Sequence, residues 1–121
     1  MNYTETSAAI YANAWFRDRV RVATSTYANY LLNAATDDPE YAAKINAGTR
    51  ISQQNDMIVN QLMFTLSGDS EVQAAGPSIA DAQLQLIVEK TIVKFVPVQP
   101  VTPAGMGYAY PTPPAPPPRP Q

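Results

Sequence analysis

Over the first third of the chain, apolar residues recur at spacings of three and four. Ala9, Ala12, Phe16, Val20, Ala23, Tyr27, Tyr30 and Ala34 fall on one stripe of a helix, and Ile10, Trp15 and Leu31 widen it. Asn2 with Glu5 three residues later is a variant of the capping box, so the pattern predicts a helix over 4–35. Arg17, Arg21 and Asn29 lie off the centre of the stripe, and Asp18 is placed to meet Arg21 one turn on.

Asp37, Asp38 and Pro39 form the next start signal, with an aspartate as N-cap and proline at the first helical position, where its missing N–H leaves no bond unmade. Gly48 and Thr49 are expected to break or kink the second helix, since glycine inside a helix costs about 1 kcal/mol relative to alanine. A third helix over 51–67 would turn Ile51, Ile58, Leu62 and Leu66 inward, with Gly68 closing it. Residues 69–77 read as a loop. Ser78 and Asp81 then make a second capping box before a helix over 79–93, with Leu84, Ile87 or Val88, Thr91 and Phe95 toward the core. The β-branched run over 91–98 is equally compatible with a short strand.

The pattern changes again at residue 97. Ten of the twelve prolines lie in 97–121, where Arg119 is the single charge. Proline at that density excludes a helix or a central strand and leaves polyproline II and extended backbone. The expected architecture is all-α: a small bundle of three to four helices over residues 1–96, followed by a long extended proline-rich arm over 97–121. At this size a helical unit buries a limited share of its surface, so homo-oligomerisation is expected to contribute to its stability.

Composition then narrows the chemistry. The chain has no cysteine and no histidine, which removes disulfides, thiolate nucleophiles, thiolate and imidazole metal ligands, and the commonest general base. No catalytic, cofactor-binding or metal-ligating set is expected, and the protein reads as a non-enzyme. The net charge of −2 and the confinement of three arginines to Arg17, Arg19 and Arg21 give no extended basic face for nucleic acid. No apolar run reaches membrane-spanning length, and the first fourteen residues carry Glu5 and polar side chains where a signal peptide needs a positive start and an apolar run. Asp37 and Asp38 are expected to act as helix-capping residues rather than as a reactive carboxylate pair. The Arg17–Arg21 segment is either a salt-bridged helix face or a basic ridge for an acidic partner or for nucleic acid passing by. Trp15, Tyr27 and Tyr30 are either core or interface anchors. In the arm, Tyr108 and Tyr110 interrupt the prolines, and Pro114, Pro117 and Arg119 form P-x-x-P-x-R, a pattern that docks on aromatic grooves. The candidate partner-binding residues are therefore Trp15, Arg17, Arg21, Tyr27, Tyr108, Tyr110, Pro114, Pro117 and Arg119.

Two stretches carry a resemblance. The first is Ala14-Trp15-Phe16-Arg17-Asp18-Arg19-Val20-Arg21-Val22-Ala23, with Tyr27-Ala28 following; the second runs from Ser78-Ile79-Ala80-Asp81 through Leu84-Gln85 to Val88. An F-x-x-R-V-x-x-A helix, a D-P turn and an I-x-D-A-x-L-Q helix, in that order, resemble small helical proteins encoded among the virion genes of tailed bacteriophages. The likeness covers about half the chain, and the proline arm departs from it. The resemblance implies a structural component of the virion, made in the host cytoplasm. A ring-forming head–tail connector or neck protein is the leading expectation, and a capsid cement or accessory protein is the alternative. It implies partners among copies of the same chain and among portal, capsid or tail proteins, with no small-molecule substrate, no membrane, and only incidental contact with packaged DNA. A reading independent of the resemblance is a non-viral adaptor whose proline-rich tail is a ligand for a proline-recognising domain.

Overall fold

The computed structural model describes residues 13–99, and all regular structure among them is helical. Helix α1 covers Ala14–Leu32, α2 Tyr41–Gln53, α3 Asn55–Ser67, α4 Ser70–Ala75 and α5 Asp81–Ile92, with a 3-10 turn at Gly76–Ser78 before α5. The described part is thus all-α, with one helix more than the pattern predicted. The Asn2–Glu5 box and the arm beyond residue 99 lie outside the described residues.

The first helix does not run continuously over 4–35. Asn13 is extended, with ψ of 108°, and its Oδ1 accepts a hydrogen bond from the Phe16 N–H at 2.7 Å, so α1 starts there. A short amide side chain can satisfy an orphan helical N–H, and that local bond competes with continuation of the helix. From α1, Phe16, Val20, Ala23, Tyr27 and Leu31 are buried as the stripe predicts, joined by Thr24 and Ala28. The Thr24 hydroxyl donates to the Val20 carbonyl at 2.8 Å, which satisfies it inside the core.

Helix α2 begins two residues later than the Asp-Pro signal suggested. Asp38 acts ahead of the helix: its Oδ1 accepts from the Glu40 N–H at 2.7 Å and its Oδ2 accepts from Lys44 Nζ at 2.8 Å. The helix runs unbroken through Gly48, contrary to the expectation of a kink. A methyl group there would stand 2.8 Å from Leu32 Cγ, 3.0 Å from the Ala28 carbonyl oxygen and 3.1 Å from Leu31 Cβ. Glycine is present because the two helix backbones approach closely. The break comes instead at Gln54, with φ of −111° and ψ of 28°, which separates α2 from α3.

Ile51, Ile58, Leu62 and Leu66 are buried together with Val59 and Met63. Gly68 follows α3 with φ of −98°, so it does not provide the left-handed cap expected of it. The predicted loop over 69–77 contains α4: Asp69 accepts from the Glu71 and Val72 N–H groups, and Val72 is fully buried. The left-handed turn needed to leave this helix falls at Gly76, with φ of 73°. The Ser78 capping box does not form; Ala80 precedes α5 without a side-chain cap. Leu84, Ile87, Val88 and Thr91 face inward, Phe95 packs against the core, and residues 93–95 turn rather than form a strand. Val96 is buried and Val98 is packed on the core, so burial continues past the expected boundary at residue 97.

Two changes report on this packing. Gly48→Ala should destabilise the protein by about 1–2 kcal/mol despite the higher helix propensity of alanine, because overpacking outweighs the propensity gain. A raised denaturation midpoint for this variant would disprove the close approach. The Lys44 hydrogen bond, followed by that from the Glu40 N–H, holds the Asp38 carboxyl below the ordinary aspartate value, and the same bond to Asp38 holds Lys44 above the ordinary lysine value. The contribution of Asp38 is complete above about pH 3.9 and is lost as pH falls through its lowered native pKa. That of Lys44 is complete below about pH 10.4 and is lost as pH rises through its raised one. Asp38→Asn should therefore lower stability at neutral pH and flatten both flanks of the profile, as read by urea midpoints across pH.

Candidate partner-binding site

The site is organised by Arg19. Its Nη1 donates to the Pro77 carbonyl at 2.7 Å, and its Nη2 donates to the Ile79 carbonyl and to Asp81 Oδ1, the latter at 2.6 Å. Its Nε reaches the same carboxylate oxygen at 3.2 Å. The Ile79 side chain is buried while its carbonyl meets Arg19, so the segment entering α5 is fixed from both sides. The guanidinium also lies 4.8 Å from the centre of the Trp15 ring, a cation–π contact that holds the indole in place.

One turn further along, Gln85 Nε2 donates to the Ala23 carbonyl at 3.1 Å and to Glu89 at 2.9 Å. Arg19 to Asp81 and Ala23 to Gln85 share a sequence offset of 62, so α1 and α5 run parallel and in step. Tyr27 and Glu89 continue the series. Burial pushes the Tyr27 phenol above its ordinary pKa, and the Glu89 charge raises it further. On the other side of α1, Arg21 reaches Asp56 at 2.8 Å and Asn55 at 3.2 Å, while Arg17 bonds Asn60, so α3 runs antiparallel to α1.

Over the α1–α5 seam lies an open groove of about 340 Å³. Ala23, Leu84 and Gln85 line it, the Arg19–Asp81 pair closes one end, and Asp18 and Val22 stand at its edge. Trp15 is 58% exposed, Val22 59% and, on the outer side of α5, Leu86 62%. A second apolar surface lies on α3, where Met57 and Phe64 are 66% and 74% exposed and share a helix face at a spacing of seven.

The residues singled out from the sequence separate in the structure. Trp15 stacks on Arg19, just beyond the end of the groove. Arg17 and Arg21 are engaged with α3 inside the protomer, and Arg21 pairs with Asp56 rather than with Asp18. Tyr27 is turned inward at 8% exposure, so in this protomer it is a core residue and not an accessible contact. Tyr30, placed on the buried stripe by periodicity, is 62% exposed and stacks on Tyr27 with ring centres 6.3 Å apart. Tyr108, Tyr110, Pro114, Pro117 and Arg119 lie outside the described residues. Val22, Leu86, Met57 and Phe64 were not foreseen as contacts; the available signal was a large apolar residue standing off its helix's inward stripe.

Among the described residues, no group of three or more acidic side chains is arranged to hold a metal ion, and no helix is long and apolar enough to cross a membrane. No family model, curated protein or solved structure matches the chain.

The two members of the Arg19–Asp81 pair should differ when removed. Arg19→Ala leaves two carbonyls and a carboxylate without their donor and should cost about 2–3 kcal/mol, whereas Asp81→Asn, at a side chain 93% exposed, should cost less than about 1 kcal/mol. Equal losses in chemical denaturation would show that the ion pair, and not the hold on the backbone, is what matters.

Proposed function

We propose that this chain is a structural subunit of a tailed-phage virion, a ring-forming head–tail connector or neck protein whose proline-rich arm binds neighbouring subunits. The observation that carries the reading is the Arg19 contact: the two stretches that bear the resemblance to virion proteins are the two that this side chain draws together. The likeness therefore falls on one structural unit and not on two unrelated helices.

The distribution of exposed apolar residues supports assembly. Trp15 and Val22 lie beside the α1–α5 seam, and Met57 and Phe64 lie on the outer side of α3. Two unlike patches suit a head-to-tail contact, which closes into a ring when the rotation between subunits allows it. On this reading the chain performs no catalysis, holds no cofactor, and has copies of itself and portal, capsid or tail proteins as partners. A capsid cement protein is the second reading, favoured by the same exposed faces if they form a lattice instead of a ring.

Virions carrying a chain that stops after Gln99 should fail to assemble while the helical unit retains its thermal stability. Counting copies per wild-type particle separates a single ring from a shell-wide lattice. Unimpaired assembly of the shortened chain would overturn the connector role.

A further inference from the structure

We propose that the α1–α5 groove is the receptor for the proline-rich arm of a neighbouring copy of this chain, with Trp15 and Val22 receiving its prolines and Asp18 receiving Arg119. The inference rests on the assembly reading above and adds to it the place where the arm binds.

Proline-rich ligands dock on shallow apolar grooves that present an aromatic ring, and a nearby carboxylate fixes their direction through a basic residue. The groove offers Val22, Ala23 and Leu84 among its lining residues, adjoins at its Arg19 end an indole that is 58% exposed and steadied by Arg19, and has a volume at the small end of the ~300–1,000 Å³ typical of ligand clefts.

Arg119 is the single charge in residues 97–121. At the groove, Asp81 is already paired with Arg19, whereas Asp18 is exposed and has no ion pair or hydrogen-bonding partner for its side chain among the described residues. One cation on the arm meets one unmatched carboxylate on the groove. In Pro114-Ala115-Pro116-Pro117-Pro118-Arg119, the spacing sets the prolines on the apolar flank when the guanidinium reaches the acid.

The described fold is left at Gln99, beside Ala43, Asn46 and Arg50 of α2 and not beside the groove. From there to Arg119, an extended proline-rich chain would cover about 60 Å at ~3.1 Å per residue, while α1 is about 28 Å long. That reach is long enough to bring the last residues to the groove of another subunit. Its restricted backbone also lowers the entropy lost on docking.

The test uses the full chain with a photo-crosslinking residue in place of Val22, which lines the groove and is exposed, made as a mixture of isotopically heavy and light copies. Crosslinks joining position 22 of a heavy chain to residues 111–119 of a light one are expected. Crosslinks confined to single chains, crosslinks to any other segment, or none from an assembled sample would overturn the proposal. In parallel, Asp18→Arg and Arg119→Asp should each weaken self-association roughly two- to fivefold, and the two together should restore it. Two single losses without restoration would remove Asp18 as the partner of Arg119. If the chain ending at Gln99 loses assembly while position 22 never meets the arm, the groove assignment fails and the connector role stands. If that shortened chain assembles normally, the connector role itself fails.

Discussion

Because α1 and α5 run side by side in the same direction, the chain between them has to travel back along α1 before α5 can begin. Much of the fold follows from this requirement. Helix α2 packs across the C-terminal half of α1 at Gly48, α3 descends antiparallel along the N-terminal half, and α4 with its 3-10 turn makes the crossing to the start of α5. The bend at Gln54 lets the return path change from one half of α1 to the other. Arg19 then locks the crossing where it ends. Without that contact the residues entering α5 would lose the donor for two part-buried carbonyl groups that face α1.

The seam between the parallel helices is built differently from the rest of the interior. Elsewhere in the interior α1 is held by aliphatic and aromatic side chains, with the Thr24 hydroxyl bonded back to its own helix, while the Arg17 and Arg21 bonds to α3 lie nearer the surface. Along the seam the contacts are directional: a guanidinium on carbonyls, then an amide on a carbonyl one turn later. Apolar contacts tolerate a slide of one helix along another, whereas hydrogen bonds repeated every four residues admit a single register. The same polar seam leaves the outer edge of the two helices open, and a groove with apolar flanks results.

The helical class, the inward faces of α3 and α5 and most of the α1 core were legible in the sequence, because periodicity of three and four is set by which side of a helix meets the interior. What was not legible depended on distance between elements. Gly48 has the same local signature whether it breaks a helix or admits a neighbouring backbone, and only the nearness of Ala28, Leu31 and Leu32 distinguishes the two. The Asp69 cap went unseen because α4 is too short for a periodic signal, and its single buried anchor, Val72, is invisible as a pattern. For the site, Trp15 was named as core or interface and the structure leaves it exposed, whereas Arg19 was read only as one of three neighbouring arginines. Its role requires knowing that a segment about sixty residues away returns to the same place. Tyr27 and Tyr30 show the limit most directly: adjacent on one stripe, they are separated into buried and exposed by the edge of the bundle.

The parallel alignment also makes each protomer a directional object. The chain enters the described fold at Asn13, at the foot of α1, and leaves it at Gln99, after α5 has run the same way as α1 and residues 93–99 have settled against α2. In an up-and-down bundle with an even number of helices, entry and exit share a rim. Here the exit lies beside α2, which packs on the C-terminal half of α1, away from the entry. A label fused ahead of residue 13 and one fused beyond residue 99 would therefore report on different poles of any array built from these units, and such an array would carry an up and a down.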